Sequence, residues 1–225
     1  MRRAGPRGRP PTCTVKGTRS AGKMKDAVDV LILGLATQYP GGAHAPKFVW
    51  QLVADGCNAI CEVPTSRWGM ASINSYGFSQ GIVDRVRHGG FVRKTEMFDA
   101  RFFSVSPAEA SAMDPQQRLL LERGYEALAE SGLKKGDLDG NGTGVFIGIQ
   151  ALDFQEILRA SPAGQGVFAA TGCNLAVSSG RVSYCLGMQG PCASYDTACS
   201  ASLVASHGGV RALQRAECAA ALNAG

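Results

Sequence analysis

Nothing in this 225-residue chain is long and apolar enough to span a bilayer as a helix. The longest apolar stretch, Val30 to Ala36, is seven residues, where a membrane span needs about 20. Charged residues are sparse, at 18% against 45% hydrophobic ones, which excludes general disorder and fits a core-forming chain. The 29 glycines follow no G-X-Y period, so a collagen-like fibre is excluded, and no repeat of solenoid length is present. Acidic side chains are missing altogether from residues 1–25, which hold eight basic ones. The remainder has 15 basic residues against 18 acidic ones. The net charge of +5 therefore belongs to the head, and residues 26–225 carry no footprint for nucleic acid.

The head also lacks an apolar h-region, which excludes a secretory signal. Three readings of residues 1–25 stay open: a disordered extension, an organelle transit segment, or the start of an incomplete reading frame. Paired-cysteine metal motifs are lacking as well. The eight cysteines include no C-x-x-C pair. Cys57 and Cys61 have no second pair at finger spacing, and Cys185, Cys192 and Cys199, though seven apart, fall on different kinds of element. Most are expected to be small buried hydrophobes in a reducing compartment. That points to the cytoplasm, with a plastid or other organelle as the alternative that the basic head allows.

What is present reads as alternating strands and helices. Val28–Ala36 is a β-branched and leucine run stopped by Pro40-Gly41-Gly42, and is expected to be a buried strand. Ala45–Asp55 has Phe48, Val49, Leu52 and Val53 at helical spacing. Residues 57–97, rich in glycine, read as irregular. Ser106-Pro107-Ala108-Glu109 and Asp114-Pro115-Gln116-Gln117 each place a capping side chain ahead of a proline at the first helical position. The second helix is expected to bury Leu120, Leu121, Tyr125 and Leu128 and to end at Gly132. Gly144–Ile149 reads as a buried strand, Asp153–Arg159 and Asn174–Leu186 as helices, and Cys192–Asp196 as a short strand. Ser200–Gln214 then reads as a helix and Cys218–Leu222 as a final strand. The pattern is that of an α/β fold with a parallel sheet.

Two apparent motifs fail. Gly17-Thr18-Arg19-Ser20-Ala21-Gly22-Lys23-Met24 nearly spells a phosphate loop, but Met24 cannot ligate magnesium and no strand precedes Gly17. Gly140-Asn141-Gly142-Thr143-Gly144 runs into a strand instead of opening a helix, so it is a turn. His44 and His88 sit in loops without partners, and His207 is expected to be a core or supporting histidine. The surviving site is Asp196-Thr197-Ala198-Cys199-Ser200-Ala201-Ser202. There a short strand meets a tight turn of small residues, and a helix follows. Backbone N–H groups and the positive helix end at such a place stabilise a thiolate, and they can hold the oxyanion formed when sulfur attacks a thioester. From this pattern alone, a nucleophilic Cys199 and a buried structural one both remain open.

Asp196-Thr197-Ala198-Cys199-Ser200-Ala201-Ser202-Leu203-Val204-Ala205 closely resembles the active-site segment of β-ketoacyl synthases, especially the ketosynthase domains of type I polyketide synthases. Further landmarks follow in family order: Tyr39-Pro40-Gly41-Gly42, Glu62-Val63-Pro64 with Arg67-Trp68, Phe98-Asp99-Ala100, Met113 through Glu122, Gly144 through Gly148, and Gly180-Arg181-Val182-Ser183-Tyr184. Together they cover about residues 28–225. The resemblance implies a thiolase-like α/β fold, here the first half of the two-fold arrangement, in a family that normally assembles as homodimers. It implies that Cys199 takes an acyl group from the phosphopantetheine arm of an acyl carrier protein, with its backbone N–H as one oxyanion donor. Condensation with a malonyl-type extender follows, in polyketide or fatty acid synthesis. Thr197, Ala198 and Ser200 would line the substrate, and no bound cofactor or metal is implied.

The two histidines of the family's second half have no match in His44, His88 or His207, so the chain as given is expected to be incomplete for condensation, with apolar surface left exposed. Two alternatives accompany this reading: a non-catalytic carrier-protein docking or dimerisation fragment (or remnant), and a thiolase-type enzyme using coenzyme A thioesters. Smaller departures are Thr37-Gln38, where the family often has Cys-Arg, and Ala201 in place of a common serine. Gly208-Gly209, in addition, is expected to interrupt the following helix.

Overall fold

The computed structural model describes residues 29–69, 73, 76–150 and 153–225. The basic head, the Gly17–Met24 sequence, Cys13 and Val28 lie outside them. Helix α1, Pro46–Ala54, opens on its proline. A two-residue antiparallel ladder follows, strand β1 (Cys61–Glu62) against β2 (His88–Gly89), with helix α2 (Gln80–Val86) between them. The described part of residues 57–97 therefore holds more regular structure than its glycine content suggests, and His88 is a strand residue.

Local sequence grammar decides the next two helices. The Ser106 hydroxyl accepts the Glu109 N–H at 3.1 Å and starts helix α3, Pro107–Ala112. The Asp114 carboxylate accepts the Gln116 N–H at 2.8 Å and starts helix α4, Pro115–Glu130. Each cap satisfies a donor that the first helical turn leaves open, worth about 1 kcal/mol. The most deeply buried row of α4 is Gln117, Leu121, Gly124 and Leu128, with Leu120 and Tyr125 packed beside it and only partly buried. The Gln117 side chain is used rather than hidden: its Nε2 donates to the Thr171 and Asn174 carbonyls at 3.2 and 3.3 Å.

Burial pushes the Asp114 carboxyl above the usual aspartate value, against the opposing pull of the Gln116 N–H and Arg118. The folded protein then holds that proton more tightly than the unfolded chain. The group's contribution favours folding at low pH and is lost as pH rises from the ordinary aspartate value through the raised one. Asp114→Asn keeps an acceptor for Gln116 and removes the charge. Its Tm relative to wild type is expected to rise as pH climbs from the ordinary aspartate value through the raised one. A pH-independent difference between the two melting curves would contradict the buried-carboxylate account.

After helix α5 (Lys135–Leu138) comes strand β3, Gly144–Gly148, whose five residues are all buried. Helices α6 (Asp153–Arg159), α7 (Ala169–Gly172) and α8 (Val177–Leu186) lead to strand β4, Cys192–Tyr195. Helix α9, Ala201–Gln214, then leads to strand β5, Ala221–Ala224. The three strands form one parallel sheet in the order β4-β3-β5, with Gly148 opposite Tyr195 and Gly144 opposite Ala221. A strand buried on both faces needs cover on both, and alternation supplies it. Val145 and Ile147 join Leu121, Leu128, Val182 and Leu186 in one core, while Phe146 joins Ala205, Ala212 and Cys218 in another. Helices α4 and α8 thus cover one face and α9 the other, as expected of an α/β fold.

Several sequence expectations need correction. Residues 29–36 of the expected first strand are not a strand, and Leu31, Ile32, Leu33 and Leu35 are exposed. A strand needs a neighbouring edge, and here the Leu35 N–H goes instead to the Glu130 carboxylate at 2.6 Å. The helix expected from Asn174 begins at Val177, because the Asn174 side chain takes the Ala176 N–H at 2.9 Å before the helix can start. The last strand begins at Ala221 instead of Cys218, since Glu217 still closes the turn after α9 through its N–H to Ala212.

Gly208-Gly209 does not interrupt α9. A β-carbon at Gly208 would lie 2.6 Å from the Tyr195 hydroxyl, and one at Gly209 would lie 2.1 Å from Asn223 Oδ1. The glycines let α9 lie close on β4 and β5, which offsets their cost of about 1 kcal/mol each. His207, on the same helix, is exposed and not part of the core.

Candidate functional site

The segment singled out in the sequence leaves the carboxyl end of β4, where ligands of parallel α/β sheets commonly bind. The described turn is tighter than a strand running straight into a helix. Residues Ala198–Ser200 form one turn of 3-10 helix, and α9 begins after it at Ala201. Cys199 thus sits in the middle of that turn, and its side chain is exposed. A buried structural role for Cys199 is excluded by that exposure.

The neighbouring residues hold the turn. The Asp196 carboxylate accepts the Ala198 N–H at 3.2 Å. The Ser200 hydroxyl donates to the Thr197 carbonyl at 2.8 Å and lies 3.0 Å from the Thr197 hydroxyl. Thr197, Ala198 and Ser200 are all exposed beside Cys199, so the structure brings the expected site residues together. It also gives Thr197 and Ser200 a role in shaping the turn that their small size alone did not reveal.

Two features were not read from the sequence. Ala198 has φ +53°, a left-handed conformation that a residue with a β-carbon adopts at a cost of about 1–2 kcal/mol. Gly148, at the end of β3, lies directly beneath the first turn of α9. A β-carbon there would be 2.4 Å from the Ala201 carbonyl carbon and from the Ser202 nitrogen. The available signal for Gly148 was a glycine inside a strand, which often marks a close backbone approach. For Ala198 no sequence signal existed.

Two surface concavities lie away from this turn. One, about 280 Å3, is lined by residues that include Gly41, Phe48, Leu52 and Cys57. The other, about 450 Å3, is lined by Lys135, Asp139, Tyr184 and Gly187 among others. Neither includes Cys199. The first holds Cys57 and the second Cys185, but neither of these thiols sits between the carboxyl end of a sheet strand and the start of a long helix, so the exposed turn is the stronger candidate.

The remaining described cysteines divide in two. Cys57, Cys61 and Cys192 are exposed, against the expectation that most cysteines are buried; Cys173 and Cys218 are buried and Cys185 is half-buried. Cys57 lies in the connection between α1 and β1, Cys61 on the two-residue strand β1, and Cys192 on the edge strand β4. Burial pushes the thiols of Cys173, Cys185 and Cys218 up, which makes them poor nucleophiles. Iodoacetamide is expected to label Cys57, Cys61, Cys192 and Cys199 in the native protein, and to reach Cys173, Cys185 and Cys218 only after unfolding. Peptide mapping by mass spectrometry checks this order.

The family model described as "Beta-ketoacyl synthase, N-terminal domain" matches residues 27–225. Polyketide synthase GfsB of Streptomyces halstedii is 44% identical over 202 residues, which are 88% of this chain and 4% of that protein. Erythronolide synthase EryA2 of Saccharopolyspora erythraea is 38% identical over 215 residues, 95% of this chain and 6% of that protein. Among solved structures, the ketosynthase from module 6 of the bacillaene synthase from Bacillus subtilis 168 superposes with a TM-score of 0.68 at 32% identity. That match covers 82% of this chain and 29% of the solved one. The chain thus spans a small part of the curated relatives and under a third of the solved ketosynthase.

Proposed function

Because the chain belongs to the β-ketoacyl synthase family, we propose that it forms the nucleophile-bearing part of a polyketide synthase ketosynthase and that Cys199 is its acyl acceptor. Its α/β fold is the thiolase-like fold of the ketosynthases. The observation that carries the reading is the exposed Cys199 in the turn between the carboxyl end of β4 and the start of α9.

The acyl donor is a thioester on the phosphopantetheine arm of an acyl carrier protein. The Cys199 thiolate attacks its carbonyl carbon, a sulfur–carbon bond forms, and the oxygen takes up negative charge beside the N–H groups of the turn. When the intermediate collapses, the donor's carbon–sulfur bond breaks and the arm departs as a thiolate, which takes from solvent a proton equivalent to the one that Cys199 gave up on ionising. Thr197 and Ser200 keep the turn closed while Ala198 leaves room for the acyl chain. In the following condensation, a malonyl-type extender loses carbon dioxide and its carbon attacks the Cys199 thioester, which releases the cysteine. The family's two histidines serve that second step, and His44, His88 and His207 do not match them, so acyl loading is the step assigned to these residues. Assembly as a homodimer belongs to the same proposal, and β4 is an edge strand of the described sheet.

The test is to incubate the chain with an acyl-loaded carrier protein and, separately, with the matching acyl coenzyme A, and to map the acylated peptide. Acyl transfer from the carrier protein onto Cys199 supports the proposal. Equal or better transfer from coenzyme A favours the thiolase-type alternative. Scattered labelling of Cys57, Cys61 and Cys192, or none, removes the acceptor role.

A further inference from the structure

We infer that Ala198 and Gly148 are positioning residues that together fix where the Cys199 sulfur stands, an inference that rests on the acyl-accepting role proposed above. Ala198 precedes Cys199 directly and holds φ +53°. Glycine would adopt that angle freely, whereas alanine does so only because its surroundings over-determine it. Those surroundings are the Asp196 carboxylate on the Ala198 N–H and the Ser200 hydroxyl on Thr197. The β-carbon also removes most other conformations from the residue, so the turn cannot relax into a looser shape.

Gly148 fixes the other side. The atoms that a β-carbon at Gly148 would meet are Ala201 C and Ser202 N at 2.4 Å and Ser202 Cα at 2.6 Å, all main-chain. No side-chain rotation can relieve such a contact, since ordinary contacts between carbon atoms lie at about 3.5–4.0 Å. The first turn of α9 therefore rests on the backbone of β3 with no side chain between them. Cys199 lies between these two constraints, one residue after Ala198 and two before Ala201. Adding a methyl group at position 148 forces α9 to move off β3 by about 1 Å, and a displacement of that size at a reacting atom costs on the order of 10²-fold in rate.

The experiment follows acyl transfer from butyryl-N-acetylcysteamine to Cys199 over a range of thioester concentrations, using the full chain. Saturating rate and half-saturation concentration are read separately by mass spectrometry. Ala198→Gly relieves strain and is expected to keep or raise the Tm while slowing the saturating rate about 10-fold, with little change in half-saturation. Gly148→Ala is expected to slow it about 10²-fold.

Gly136→Ala is the control. The residue lies on α5, is exposed, and a β-carbon there meets nothing within 4 Å, so loading is expected to stay within about twofold of wild type. Should Gly148→Ala fail to fold, Ala198→Gly decides alone. Wild-type rates in folded Ala198→Gly overturn the positioning role, as does a Gly136→Ala variant slowed as much as the others. A wild-type chain that loads no acyl group on Cys199 overturns the acceptor role itself, which is a separate failure.

Discussion

Cys199→Ala is expected to abolish acyl loading while leaving the fold intact. The side chain is exposed, and substitutions at such positions change stability by no more than about 0.5 kcal/mol, so the melting curve should overlay that of wild type. The chemistry has no substitute for the sulfur. Alanine offers no atom to carry the acyl group, and removing a nucleophile that works with its neighbours costs on the order of 10⁶ in turnover in well-studied cases. Residual labelling should fall to the background at Cys57, Cys61 and Cys192. Cys199→Ser separates nucleophilicity from shape. It keeps a small side chain that can hydrogen-bond, but a hydroxyl is not ionised near neutral pH and lacks a base within the turn, so loading should again collapse. If either variant loads acyl groups at the wild-type rate, the acceptor lies elsewhere in the chain.

The parts of this site legible in the sequence were those set by neighbours along the chain. Ser106 and Asp114 could be read as caps because a capping hydrogen bond spans only two or three residues. The buried strand Gly144–Gly148 was legible from an unbroken apolar run, and the small-residue turn around Cys199 from composition alone. What stayed hidden depends on residues distant in sequence. Leu31, Ile32 and Leu33 have strand composition, but composition does not supply a neighbouring edge, and none pairs with them among the described residues. Gly148 looks like any strand glycine until α9 is laid across it. Gly208-Gly209 looks like a helix break until Tyr195 and Asn223 are placed against it. Ala198 gave no hint, because alanine is not among the residues (glycine, asparagine, aspartate) whose presence signals a left-handed turn. The site's chemistry was therefore read locally, while the constraints that aim it come from tertiary packing.

Removing Glu109 is expected to destabilise the protein more than removing its partner, Arg181, although the two form one ion pair. The pair ties α3 to α8, and its members are unequally buried. The Arg181 side chain is 7% exposed and that of Glu109 25%. Glu109→Gln leaves a guanidinium shut inside the fold without a counter-charge, and its Nε already has no hydrogen-bond partner among the described residues. A stranded buried charge costs about 3–5 kcal/mol, or roughly 6–20 °C in Tm for a chain of this size. Arg181→Met leaves a carboxylate that reaches water at a quarter of its surface, and the methionine keeps much of the arginine's apolar packing. That loss should be about 1–3 kcal/mol. The double variant Arg181→Met with Glu109→Gln should recover much of the deficit of Glu109→Gln alone, because the unpaired charge is gone. Arg87–Glu62 offers the contrast, with both side chains about half exposed at 51% and 54%; Glu62→Gln should cost no more than about 1 kcal/mol, and salt should screen that pair but barely affect the buried one. Equal losses from Glu109→Gln and Arg181→Met, with no recovery in the double variant, would mean that packing and not charge holds α3 against α8.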